Sequence, residues 1–271
     1  MKNVKLIMET WRQYLSEIRT SEFSNFKDTE GSTHPIYRGS YQEKSHFIKF
    51  PDNELQTLNE FLAYRIYSLY DVKIPDSFYL VFNDEGKVGI STEAFSGGIY
   101  SGRVASKTDL SLYDAFNSTL GNMFYVDAFL ANWDAAKNVV VDFDKFSNTG
   151  DFDYRSIDPG GALDFRAQGE RKGHMFSDDV GELETLLDPS ITRGTGASYV
   201  YSKRDDNIAK ETFTKVSWND ISQMIESTKK DIIEELIDHE RDDLISPFRQ
   251  MADQAKLKLQ KRHNFILQRL S

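Results

Sequence analysis

Phe47-Ile48-Lys49-Phe50, then Asn59-Glu60, then Asn132-Trp133-Asp134 through Asn138, then Ser156-Ile157-Asp158-Pro159-Gly160-Gly161: these four patches, in this order, decide how the chain is read. A strand lysine, a helix glutamate, an Asp/Asn pair in one loop and a later Asp before glycines are the parts that move a phosphoryl group out of Mg-ATP. Each part answers a need of that chemistry. A triphosphate concentrates negative charge, so a lysine on a rigid strand belongs beside it, held by a glutamate from a neighbouring helix. Lys49 and Glu60 fit those roles. Magnesium takes oxygen ligands in near-octahedral array and retains several waters, so one carboxylate and one amide oxygen suffice. Asp158 and Asn138 are the expected ligands. The acceptor hydroxyl must be oriented and must lose its proton, which calls for an acid within hydrogen-bond reach. Asp134 is the expected group.

Singly, each patch is weak. A strand lysine between apolar residues is most often an edge or snorkelling residue. Asn-Glu on a helix is commonly a solvated face, and Asp-Pro-Gly-Gly is first of all a turn. Order and placement at element boundaries carry the reading.

Composition narrows the field further. The 271 residues can bury a full core in one or two domains, and 39% hydrophobic residues mark a globular chain. No run of about 18 apolar residues is present, so no membrane span is expected. The N-terminus is too short in its apolar stretch and too polar beyond it for a signal peptide, which makes a cytoplasmic protein the expectation. The absence of cysteine excludes disulfides, thiolate zinc sites and cysteine nucleophiles. Five dispersed histidines offer no metal-ligand spacing. A formal charge of -10 disfavours a nucleic-acid backbone as partner; only the tail from Lys256 to Arg269 is basic, and it reads as a solvated helix face.

The wording of the patches also resembles a known group. His46-Phe-Ile-Lys49-Phe-Pro51, Asn59-Glu60 and Val72-Lys-Ile-Pro75 resemble the N-terminal lobe of HipA-like kinases, distantly related in fold to phosphatidylinositol kinases. Leu130-Ala-Asn-Trp-Asp134-Ala-Ala-Lys-Asn138 looks like their catalytic loop. Gly31-Ser32-Thr33 is similar to the start of the phosphate loop in a bacterial and phage branch, as are the run from Asp158 to Gly169 and Val180-Gly-Glu-Leu-Glu184. The resemblance covers roughly residues 30 to 200. It implies an α+β, two-lobed protein-kinase-like fold, with a small antiparallel-sheet N-lobe and a mainly helical C-lobe. It further implies ATP and Mg2+ as cofactors and a protein Ser/Thr hydroxyl as acceptor. Gly31, Ser32, Thr33, Lys49, Glu93 and Phe95 become the expected nucleotide contacts.

Two departures stand out. Asp134 and Asn138 are four apart, one fewer than the usual kinase loop. Such a loop can still present both oxygens to one metal, or it marks a weakened or inactive relative that serves as an interaction protein. His34-Pro35 follows the glycine-serine start where more glycine is expected, and proline removes an amide donor. A third use of the fold, AMP transfer instead of phosphate transfer, fits the same residues.

Along the chain, residues 1–28 read as an amphipathic helix and linker, with Val4, Ile7, Met8, Trp11, Tyr14, Leu15 and Ile18 in one stripe. Residues 29–98 read as the N-lobe. It comprises a hairpin of 37–41 and 45–50, a helix over 53–70, and strands over 77–82 and 87–95 leading to a hinge-like break at Ser96-Gly97-Gly98. Residues 99–271 read as the C-lobe. A long helix over 110–130 precedes the Asp134 loop, and strands over 139–143 and 152–157 follow it. Arg166, Arg171 and Lys172 are charges that could meet a substrate phosphate. Ser217-Trp-Asn-Asp220 caps a helix to about His239, and two further helical segments, 241–255 and 256–270, end the chain.

Overall fold

Alternating β-branched and aromatic residues between polar turns make the first third of the chain a sheet. The computed structural model describes residues 18–29, 35–70, 72–95, 98–100, 110–142, 145 and 152–271. Six strands, β1 (Ile18–Arg19), β2 (Ser24–Thr29), β3 (Ile36–Tyr41), β4 (Lys44–Lys49), β5 (Phe78–Phe82) and β6 (Val88–Glu93), form one sheet in the order β1-β5-β6-β4-β3-β2. All neighbours are antiparallel except β1 beside β5, a parallel edge that the expectation of an antiparallel sheet did not include. The expected stripe over residues 4–18 lies outside the described residues but for Ile18, which is buried in strand β1, and the segment expected as a linker up to residue 28 instead supplies β1 and most of β2 to the sheet.

Helix α1 (Glu54–Tyr67) starts where the Asn53 side chain accepts the Leu55 N–H. It is buried on nearly every face, Gln56 through Tyr67 being shielded. A helix hydrophobic on only one stripe needs one partner layer, whereas this one is sandwiched. The sheet covers one side, and α7 (Trp218–Asp238) and α8 (Asp242–Leu270) cover the other. A second small sheet, β7 (Ile99–Tyr100), β8 (Val139–Asp142) and β9 (Asp153–Ser156), lies across the cleft from the first. The rest is helical: α2 (Leu110–Gly121), α3 (Phe124–Phe129), α4 (Glu182–Thr185), α5 (Ala197–Ser202), α6 (Asp206–Thr214), α7 and α8.

Two element expectations change. The helix over 110–130 is broken after Gly121, where α2 meets α5 so closely that a Cβ would sit 2.7 Å from Val200 O. Asn122 in the break accepts the Asp205 N–H, fixing the corner. The two terminal segments are one helix of 29 residues, which runs through Pro247 at its second turn and continues unbroken past residue 255. Among the described residues no helix is long and apolar enough to cross a membrane.

Candidate active site

Strand β4 ends on Lys49, which is paired between Ile36 of β3 and Ile90 of β6 and so is held at the middle of the sheet. Its ammonium lies 2.7 Å from Glu60 Oε2 and 2.6 Å from Asp158 Oδ1. Three residues 109 or fewer positions apart thus meet at one nitrogen. Burial opposes the Lys49 charge, but the two carboxylates outweigh it and hold the lysine above its usual range. Burial pushes the Glu60 carboxyl up to about 7, with the Asp158 charge adding to the rise and Lys49 opposing it.

Local backbone explains why these groups converge. Asp158 is left-handed (φ 52, ψ 58), a conformation that non-glycine residues adopt at a cost. Its N–H donates to the Tyr64 hydroxyl, 2.9 Å away, and its carbonyl accepts from Asn138 Nδ2 at 3.2 Å. The tight turn Pro159–Gly161 then lies against α1, and a Cβ on Gly160 would come 2.9 Å from Glu60 Oε2. In the preceding loop the Lys137 and Asn138 amides both donate to Asp134 O at 3.0 Å, closing the short Asp134–Asn138 loop. The Ile157 amide donates to Asn138 O at 2.8 Å, which ties the loop to the strand end.

A cleft of about 340 Å3 opens above Lys49, Glu60 and Asp158, between the two sheets. Ile36, Ile90, Val140 and Ile157 give it apolar walls; Glu93, Ala94, Phe95 and Gly98 stand at its rim. The expected contacts Glu93 and Phe95 therefore reach the cleft. The Glu93 carboxylate is already engaged by Lys44 at 2.9 Å and the Ser77 hydroxyl at 2.8 Å, and the Phe95 ring lies 4.9 Å below the Arg155 guanidinium. Gly31, Ser32 and Thr33, and the break at Ser96-Gly97, lie outside the described residues.

Asp134 is not in that cleft. It lines a neighbouring cavity of about 190 Å3 with Trp133, Gly161, Arg166 and Lys172. The turn 158–161 borders both spaces, Asp158 facing the first and Gly161 the second. For magnesium, the donor set at Asp158 and Asn138 is one carboxylate and one amide oxygen on hydrogen-bonded segments. Hard oxygens in that number suit an ion that retains several waters, so the residues fit the metal.

Sequence reasoning passed over several supports. Gln56 Nε2 donates to the Arg166 and Ala167 carbonyls, Asn59 Nδ2 donates to Ala162 O at 2.9 Å, and the Tyr64 hydroxyl accepts the Asp158 N–H. Gln56, Asn59, Glu60 and Tyr64 recur at helical spacing, a polar stripe on α1 that was legible as one face. Asp127, buried, receives the hydroxyls of Tyr67 (2.7 Å) and Tyr201 (2.8 Å) beneath the loop. Within the basic tail, expected as a solvated face, Arg262 is fully buried. It pairs with Glu182 at 2.8 Å and donates to Phe129 O at 2.9 Å, anchoring the stretch before the Asp134 loop.

No family model matches the chain, and no curated protein does either. Solved structures are similar. The Helicobacter pylori proinflammatory kinase CtkA aligns over 93% of this chain and 99% of its own, with a TM-score of 0.52 and 14% identity. WaaP, solved in complex with acyl carrier protein, aligns over 83% of this chain and 92% of its own, with a TM-score of 0.41 and 15% identity. The likeness to CtkA is one of fold: an α+β, kinase-like architecture with a curled N-terminal sheet and a mostly helical remainder, and it does not extend to the HipA-like group specifically.

Proposed function

We propose that this chain is an ATP- and magnesium-dependent phosphotransferase of atypical, HipA-like kinase type, acting on a protein Ser or Thr hydroxyl. The observation that carries the proposal is the meeting of Lys49, Glu60 and Asp158 at the foot of a cleft, with Asp134 in the adjoining cavity. In this reading residues 29–98, together with β1 and β2 that precede them in the same sheet, are the N-lobe and 99–271 the C-lobe. Residues Gly31, Ser32, Thr33, Lys49, Glu93 and Phe95 face the nucleotide.

Lys49 steadies the phosphates, and Glu60 holds its ammonium in place. Bound magnesium, held by Asp158 and Asn138, would neutralise charge on the phosphate oxygens. Asp134 orients the acceptor hydroxyl and takes its proton. The hydroxyl oxygen bonds to the γ-phosphorus as the bridging P–O bond breaks, and ADP leaves with the bond's electron pair. The apolar cleft walls exclude water, strengthening each of these charge contacts.

One incubation with magnesium and separately γ- and α-labelled ATP, followed by mass spectrometry of the protein, tests this. Transfer of γ-label with a gain of phosphate is the expected result. Transfer of α-label identifies AMP transfer instead, and nucleotide binding without any transfer identifies a pseudokinase.

A further inference from the structure

The cavity beside Asp134 carries an excess of positive donors. Asp134 is the one carboxylate lining it, against the ammonium of Lys172 and the guanidinium of Arg166. Lys172 is buried, and its nitrogen donates to Ala131 O and Gly161 O, each at 2.6 Å. An ammonium has three donors, and neither carbonyl carries a full charge. Among the described residues neither Lys172 nor Arg166 forms an ion pair with a carboxylate; Arg166 meets only the weak acceptor Met175 Sδ, at 2.9 Å. The Trp133 indole N–H, on the same wall, is buried with no hydrogen-bond partner.

Burying a cation with no carboxylate in direct contact is costly, the charges of Glu182, Asp164 and Asp134 acting on Lys172 only from a distance, and an unpaired buried N–H adds to the cost. Burial accordingly pulls the Lys172 ammonium down to about 7. A visiting anion would supply the missing countercharge, with the exposed Arg166 guanidinium free to give it charge-assisted hydrogen bonds.

We propose that this cavity is an acceptor subsite for a protein segment whose Ser or Thr hydroxyl is flanked by an anionic group. The hydroxyl sits at Asp134, and the anion sits at Arg166 and the Trp133 N–H under the field of Lys172. The proposal rests on the phosphotransfer reading above and narrows its substrate to acidic or already phosphorylated segments. A space of about 190 Å3 holds a side chain and its neighbouring charge, not a folded surface.

The test has a binding arm and a transfer arm, both on the full chain. In calorimetry, free phosphoserine is expected to bind at least tenfold tighter than serine, and Arg166→Gln, at an exposed position, is expected to remove that difference. Trp133→Phe, which deletes the indole N–H together with the five-membered ring that carries it, should weaken phosphoserine as well. Equal binding of the two amino acids, or phosphoserine binding untouched by Arg166→Gln, overturns the proposal. In the transfer arm, peptides with one Ser beside Asp, phosphoserine or Asn receive γ-label. A tenfold preference in kcat/KM for a charged neighbour is expected, and the Asp and phosphoserine peptides separate carboxylate from phosphate. Equal transfer to all three overturns the proposal and leaves phosphotransfer standing. Transfer to none, with phosphoserine still bound, sinks the phosphotransfer reading and the acceptor role with it.

Discussion

Arg241 grips Glu54 with two guanidinium nitrogens, at 2.6 and 2.9 Å, across 187 residues of sequence. Glu54 opens α1, and its Oε1 also accepts the Val88 N–H at 2.7 Å. One carboxylate therefore fastens the helix carrying Glu60 to the sheet and to the head of α8. Burial raises the Glu54 carboxyl, but Arg241 and the Val88 amide outweigh it, so its folded pKa lies below 4.5. A depressed carboxylate contributes stability above its unfolded pKa and loses it as pH falls through the folded value. Glu54→Gln should therefore cost about 1–2 kcal/mol at pH 7 and little in strong acid. Urea unfolding at pH 7 and pH 3 checks this; equal costs at both would count against the pair.

Gly160 is a second handle on the same cluster. A methyl there would lie 2.9 Å from Glu60 Oε2 and 3.3 Å from Asp158 Oδ1, tighter than ordinary contact. Glu60 is buried and held by Lys49, so it cannot swing aside at no cost. Gly160→Ala should lower Mg-ATP affinity about tenfold while leaving the fold intact. Gly194→Ala, where an added Cβ meets nothing within 4 Å, should change neither. Nucleotide titration of the two variants beside their thermal unfolding makes the comparison.

Asp127 gives a pH signature of the opposite sense. Burial raises its carboxyl to about 7 although two tyrosine hydroxyls donate to it. The folded state then holds a proton that the unfolded state releases near 3.8. Its contribution is full below 3.8 and is lost as pH rises toward about 7, beyond which it is flat. Asp127→Asn should remove a fall of a few kcal/mol over that window. Unfolding free energies of wild type and variant at pH 5 and pH 8 test it; parallel pH slopes would dismiss the assignment.

How far the sequence carried the reading depends on what each residue contacts. The β3–β4 hairpin, the Asn53-capped α1 and the strands flanking the Asp134 loop follow local periodicity, and local periodicity is what a sequence exposes. Lys49, Glu60 and Asp158 were legible because each sits at an element boundary in the expected order, and the structure brings them together. Asp134 was legible as a loop acid but not as the occupant of a separate cavity. That separation arises from the turn at Asp158–Gly161, which no spacing encodes. Arg262 read as one charge among many on a basic helix. Its burial depends on Glu182 and on the carbonyl ends of α3, contacts 80 or more residues away. The break at Gly121 likewise depends on α5 packing against it.

The separation of the two cavities makes binding and chemistry separable by mutation. On the proposed mechanism Asp158 belongs to the cleft that would hold the nucleotide, and Asp134 to the adjoining space that would hold the acceptor. Asp158→Ala should then abolish magnesium-dependent nucleotide binding, since it deletes the principal oxygen ligand. Asp134→Asn keeps the size of the side chain and removes its basicity. It should leave Mg-ATP affinity nearly unchanged and lower turnover by about 10²- to 10⁴-fold, the usual worth of a positioned acid or base. Calorimetry with Mg-ATP beside a single-turnover transfer assay reads both quantities. If Asp134→Asn instead weakens Mg-ATP and leaves turnover per bound nucleotide intact, Asp134 is a metal ligand. The four-residue spacing to Asn138 would then have shifted the loop by one position, moving the base elsewhere.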